Sequence, residues 1–184
     1  RSTSGAILYL TGPYTCMPVG AKSTKQPNTA TSTPEAEIVA AFQATKNMAL
    51  PAQSLWEGVF QRAVSCEVKE DNQTCIQVIK TGRNPNMRHL PKHQGVSLDF
   101  LHQTFQSKTM NMEYEDTEKQ KADVFTKVFK EPLKWKHAVS LLGIDSPAKL
   151  ASGGYVQDKA AEPPPPPPPK VEAPKQGGVK PIDI

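Results

Sequence analysis

Residues Ser32–Ala41 read STPEAEIVAA, and they mark the entrance of a helix. Ser32 followed by Glu35 is a capping box, with Pro34 early in the first turn, where its missing N–H is not needed. Glu35 is explained by this position, because carboxylates favour the positive end of a helix. Glu37 is explained less well. It lies beside the apolar residues Ile38, Ala41 and Ala44, so it is either a solvated flank or a ligand.

Outward from this stretch the hydrophobic spacing sets the order of elements. Upstream, residues 6–10 and 14–21 are β-prone on either side of the turn TGPYT and predict a hairpin. Downstream, Ile38, Ala41, Ala44 and Met48 recur at helical spacing, and Pro51 is expected to end or kink that helix. A second helical piece carries Leu55, Trp56, Val59 and Phe60. VSCEVKEDN predicts a strand ending near Asp71, and NQTCIQVIKTG a helix stopped by Gly82. A basic loop, RNPNMRHLPKHQG, leads to the amphipathic VSLDFLHQTFQ. KTMNMEYEDT alternates as a strand, and EKQKADVFTKVF and LKWKHAVSLLGI predict two more helices. The result is a mixed α/β domain over residues 1–145 without internal repeats, followed by a Pro-rich low-complexity tail over 146–184 that is expected to be disordered.

The composition narrows the function classes. The chain has 184 residues, a net charge of +4 and no apolar run long enough to span a membrane. A mildly basic balance permits nucleic-acid contact without demanding it. From Asn72 to Leu98 there is no acid, while Lys80, Arg83, Arg88, Lys92 and the pair His89 and His93 all fall there. Those cations could grip a phosphate backbone or simply make a solvated loop. The three cysteines, Cys16, Cys66 and Cys75, lack CxxC spacing; they read as free core thiols in a reducing intracellular compartment. His89 and His93 have no cysteine partners spaced for zinc. Trp56 and Trp135 read as packing residues.

Three acids stand out by context. Glu37 lies in the first turns of a helix, Asp71 at the end of a strand, and Asp123 within ADVFTKVF, one turn before Lys127. Strand ends and helix first turns converge in α/β domains. Carboxylates gathered there could hold Mg²⁺, two of which clamp a phosphodiester during hydrolysis. Many α/β domains offer three acids in similar places without holding a metal.

Several ordered blocks resemble one family. STPEAEIVAA is similar to the STEAEY-[VI]-A signature in the ribonuclease H segment of Copia-type retrotransposon polyproteins. EDNQTCIQVIK resembles its DNQSAI block. GRNPNMRHLPKHQGVSLDFLHQTF resembles NPVFHERTKHI-x-I-x-x-HF, with Asn84, Pro85, Lys92, His93, Val96 and Phe100 in register. KQKADVFTKVF resembles QLADIFTKPL, the closing LLGI resembles KLGL, and RSTSGAILYLTG resembles RKSTSGYVFFLGG. The likeness covers residues 1–144.

The resemblance implies a ribonuclease H-like mixed sheet with flanking helices, and metal-dependent cutting of the RNA strand in an RNA–DNA hybrid. Matched by motif, Glu37, Asp71 and Asp123 become the catalytic metal ligands for two Mg²⁺ ions. Lys80, Arg83, Arg88, Lys92 and His93 become the nucleic-acid contacts. The family's first aspartate sits in a DADWAG block just before RSTSG, and this chain starts at Arg1, so that ligand and the first, central strand are expected to be missing. RSTSGAILYL accordingly reads as the interior of something longer, a processed product or fragment. Two functional expectations follow: a ribonuclease H-like domain inactive as it stands, or a non-catalytic binding or structural subunit of a larger assembly. In the second, EPPPPPPPK would dock in the groove of a protein partner, since polyproline is already extended; the run also suits a plain spacer.

Overall fold

A computed structural model describes residues 1–144, and the Pro-rich tail lies outside the described residues. Two long strands, β1 (Thr3–Gly12) and β2 (Thr15–Lys25), form the predicted hairpin, longer at both ends than the sequence suggested. Helices α1 (Thr33–Ala44) and α2 (Leu50–Phe60) follow, then β3 (Cys66–Glu70) and α3 (Gln73–Thr81). The basic segment holds a 3₁₀ turn at Pro85–Met87 and a single-turn helix, α4 (Leu90–His93). The chain continues through α5 (Leu98–Phe105), β4 (Met110–Tyr114) and α6 (Pro132–Leu141). The fold is mixed α/β, as the spacing predicts. No helix among the described residues is long and apolar enough to cross a membrane.

The helix ends are set by local chemistry. Ser32 caps α1, its hydroxyl accepting from the Glu35 amide at 3.3 Å. Asn72 caps α3, accepting from the Cys75 amide at 3.0 Å, and Gly82 closes it at φ 69°. A Cβ on Gly82 would come within 2.8 Å of the His102 ring, so the position needs glycine for space as well as for its backbone. Pro51 does not end the first helix. The turn Thr45–Ala49 widens into a π-helix, with the Leu50 amide donating to the Thr45 carbonyl, and α2 runs on from it. The wider turn gives the Pro51 ring room beside the carbonyl it would otherwise strike one turn earlier.

The strands form two separate sheets: β1 pairs antiparallel with β2, and β3 pairs parallel with β4. One helix layer joins them, because α1 packs on both β1 and α3, and α3 packs on β3 and β4. Among the described residues each sheet keeps unpaired edges. The Gln26 amide donates to the Ser2 carbonyl, so by alternation Ser4 and Ala6 also bond toward β2 while Thr3, Gly5 and Ile7 point away from it. Cys66 and Glu70 bond toward β4, which leaves Glu67 and Lys69 on the outer edge of β3. There the Gln120 side chain lies 3.5 Å from the Lys69 carbonyl.

The main core is one apolar cluster that includes Ile38, Val39, Ile79, Leu90, Val96 and Leu101. It draws on α1, α3, α4, α5 and β4, and Met87 and Leu90 anchor the basic segment in it. That segment is therefore docked rather than a free loop. The hairpin packs differently, on the small side chains of Ala40 and Ala44, with Met48 reaching Gly20. Gln26 is buried and pins it, its amide donating to Ser4 Oγ and to the Ala36 carbonyl, each at 2.9 Å.

The stretch around Asp123 is not the predicted helix. It forms two short 3₁₀ turns, Thr117–Lys119 and Lys121–Phe125. Side chains of Asp116 and Gln120 cap these turns by accepting from the Glu118 and Ala122 amides. The second turn is pressed on Gly5, where a Cβ would lie 2.6 Å from the Thr126 methyl, and Ser23 donates to the Phe125 carbonyl at 2.6 Å. Contact with the sheet outweighs helical propensity over so short a run. Of the cysteines, Cys75 is buried, Cys66 is half-buried and Cys16 is exposed, so Cys16 is no core thiol. Trp56 stacks on Phe60, and Trp135 leans on Phe129 while remaining half exposed.

Candidate functional site

The two glutamates of EAE serve opposite sides of α1. Residues two apart on a helix are about 200° apart around its axis. Glu35 shares its face with Ile38 and is fully buried toward the basic segment. Its carboxylate accepts from the Thr31 amide at 2.8 Å, from the Thr31 hydroxyl, and from Gln94 Nε2 at 3.1 Å. His89 Nε2 is 3.3 Å away. Burial alone would raise the Glu35 pKa; the donors from Thr31 and Gln94, with His89 close by, outweigh it and hold the group down at about 2. Glu35 is thus a fixed anion inside the fold.

Glu37 faces the other way, toward the acids predicted to join it. Burial pushes its pKa up, the Asp71 charge adds to this, Lys127 opposes it, and Asp123 adds again. Glu37 therefore feels the charges of both other predicted carboxylates, although the three come from α1, the end of β3 and the turn before α6. Asp71 accepts from the Thr117 hydroxyl at 3.1 Å, and Asp123 is bridged by Lys127 Nζ at 2.6 Å. A cleft of about 320 Å³ borders this side of α1, lined by Thr3, Thr31, Ser32, Thr33 and Glu37.

The sequence reading missed a fourth acid, Glu70. It is 8% exposed, and its Oε1 accepts from the Asn72 amide at 3.1 Å. Burial, then the Glu37 charge, push its pKa up to about 8; the Asn72 amide opposes them and Asp71 adds to the rise. The signal was present in strand parity, since Glu70 lies in the same register as Val68 and Cys66 on the inward side of β3.

A carboxyl whose folded pKa is raised stabilises the fold fully below its unfolded pKa, ordinarily about 4.3, and loses that contribution as pH rises to the folded value. The fold is therefore expected to lose melting temperature between pH 5 and pH 8. Glu70→Gln should flatten that slope, measured by thermal melts across the range. An unchanged slope in the variant would remove Glu70 as its source.

All four acids are hard oxygen donors, which suits Mg²⁺ chemically. Their placement does not make a ligand cage: among the described residues no three His, Cys, Asp or Glu side chains are grouped to hold a metal ion. The Lys127 ammonium on Asp123 provides charge compensation of its own.

The predicted cations are presented differently. Lys80, Arg83, Arg88, Lys92 and His93 are all exposed, and none has an acidic partner among the described residues. No protein-family model matches the chain, and no solved structure matches it.

Proposed function

We propose that this chain is a ribonuclease H-like domain of Copia-type retrotransposon origin that binds RNA–DNA hybrids and does not hydrolyse them as it stands. The observation that carries the reading is the acidic side of α1. Glu37, Asp71 and Asp123, matched by motif to the family's metal ligands, come from three separate elements, and Glu37 feels the charges of the other two. Two sheets that share a helix layer but no ladder also support it, because the resemblance assigns a central strand between them. The cations of the docked basic segment, without an acidic partner among the described residues, supply the grip on phosphates. In the ancestral reaction the two Mg²⁺ ions would fall to Glu37, Asp71 and Asp123, where they would activate water and stabilise the leaving oxygen. No step is assigned to them in this chain, since its carboxylates are not gathered around one point.

Incubation of the chain with a labelled RNA–DNA hybrid, with and without Mg²⁺, tests both halves of the reading. The hybrid is expected to shift at low salt and remain uncut. Failure to bind would remove the nucleic-acid reading. Mg²⁺-dependent cleavage that disappears in Asp71→Asn would show that the carboxylates do assemble a working site. The second reading, a non-catalytic subunit of a larger assembly, draws on Lys127 seated on Asp123, which places a protein cation where the family would place a metal. Its polyproline docking run, Pro163–Pro169, lies outside the described residues.

A further inference from the structure

We propose that Glu35 is a positioning residue that locks the cationic segment to the start of α1, so that the phosphate grip and the acidic side of the helix move as one body. The inference rests on the hybrid-binding reading, but its structural half stands on contacts alone. The fully buried carboxylate gathers donors from two parts of the chain far apart in sequence. Thr31 donates from the helix entry, while Gln94 Nε2 donates from the far end of the basic segment at 3.1 Å. His89 Nε2 lies 3.3 Å from the same carboxylate without an aligned hydrogen bond to it.

Two more contacts stitch the same seam: Gln94 Nε2 to the Thr29 carbonyl at 3.3 Å, and Asn28 Nδ2 to the His93 carbonyl. Arg88, Lys92 and His93 sit within or beside this clamp, and all three are exposed. Met87 and Leu90 hold the segment to the core at one side. Beyond them, the polar ties of residues 89–94 all run to the entry of α1. Glu35 is their hub, and it accepts from both sides at once. A solvated glutamate at the third position of a capping box would reach back only to the cap's own amide.

Glu35→Gln keeps the shape and removes the charge. Gln94→Ala removes only the segment's side of the clamp and leaves the helix cap and the Thr31 contacts in place. Amide exchange at Lys92, His93 and Gln94, whose N–H groups bond back to His89 and Leu90, reports the clamp directly. Both variants are expected to exchange about ten-fold faster at these amides, with α3 and α5 unchanged. Hybrid affinity should fall about ten-fold, with a shallower salt slope because fewer phosphates are held at once.

Unchanged exchange in both variants overturns the clamp. Faster exchange with unaltered affinity and salt slope overturns the positioning role and leaves Glu35 a structural residue only. A wild-type chain that ignores the hybrid overturns the functional reading instead, and the exchange result then decides by itself whether Glu35 holds the segment.

Discussion

A chain in which Lys80, Arg83, Arg88 and Lys92 are all alanine is expected to bind an RNA–DNA hybrid about 10³-fold more weakly at physiological salt. Each cation that neutralises a phosphate releases a counterion and adds roughly −0.9 to the slope of log K against log salt. Losing four should make that slope shallower by about 3.5. All four side chains are exposed and free of ion pairs among the described residues, so their removal leaves the packing intact. Melting temperature should barely move. The check is anisotropy titration of a labelled hybrid at several salt concentrations. An unaltered slope would remove these four cations from the proposed contact with the hybrid.

Ile79→Ala is expected to destabilise the fold by about 3 kcal/mol, within the range measured for emptying a close-packed site. Ile79 is fully buried in the central cluster, on the face of α3 that meets α1 and α5. Its carbonyl also accepts or faces His102 Nδ1 at 3.1 Å, so the surrounding backbone is held and cannot collapse freely into the space. Urea unfolding of the two chains would measure the difference. A change below about 1 kcal/mol would mean the site relaxes or that the cluster is not the stabilising core.

Much of this fold could be read from local signals. Ser32 and Asn72 announce the helices they cap, Gly82 announces a stop, and Met110 and Met112 alternate into the core as a strand should. What could not be read was decided by contacts distant in sequence. Pro51 is accommodated by a widened turn, which a rule about single prolines does not anticipate. Asp123 leaves its expected helix because Gly5, more than a hundred residues earlier, offers the turn a flat surface to rest on.

The site was legible to a similar degree. Spacing and resemblance selected Glu37, Asp71 and Asp123, and in the structure Glu37 feels the charges of the other two. Glu70 was overlooked because an acid in a strand is ordinarily solvated, and strand parity was not followed to its last residue. Glu35 was recognised only as a helix cap. Its second function depends on Gln94, which no pattern near residue 35 contains.

The hairpin gives no side chain to the main apolar cluster and rests on small residues and the Gln26 peg. The hairpin and the helical part therefore meet across a seam that lies outside that cluster. Opening that seam would leave the buried cluster of the helical part closed, and hydrophobic stabilisation scales with the apolar surface kept from water. A hairpin that opened first would take the floor from beneath the turn that carries Asp123. The acidic side of α1 would then be only as durable as that seam.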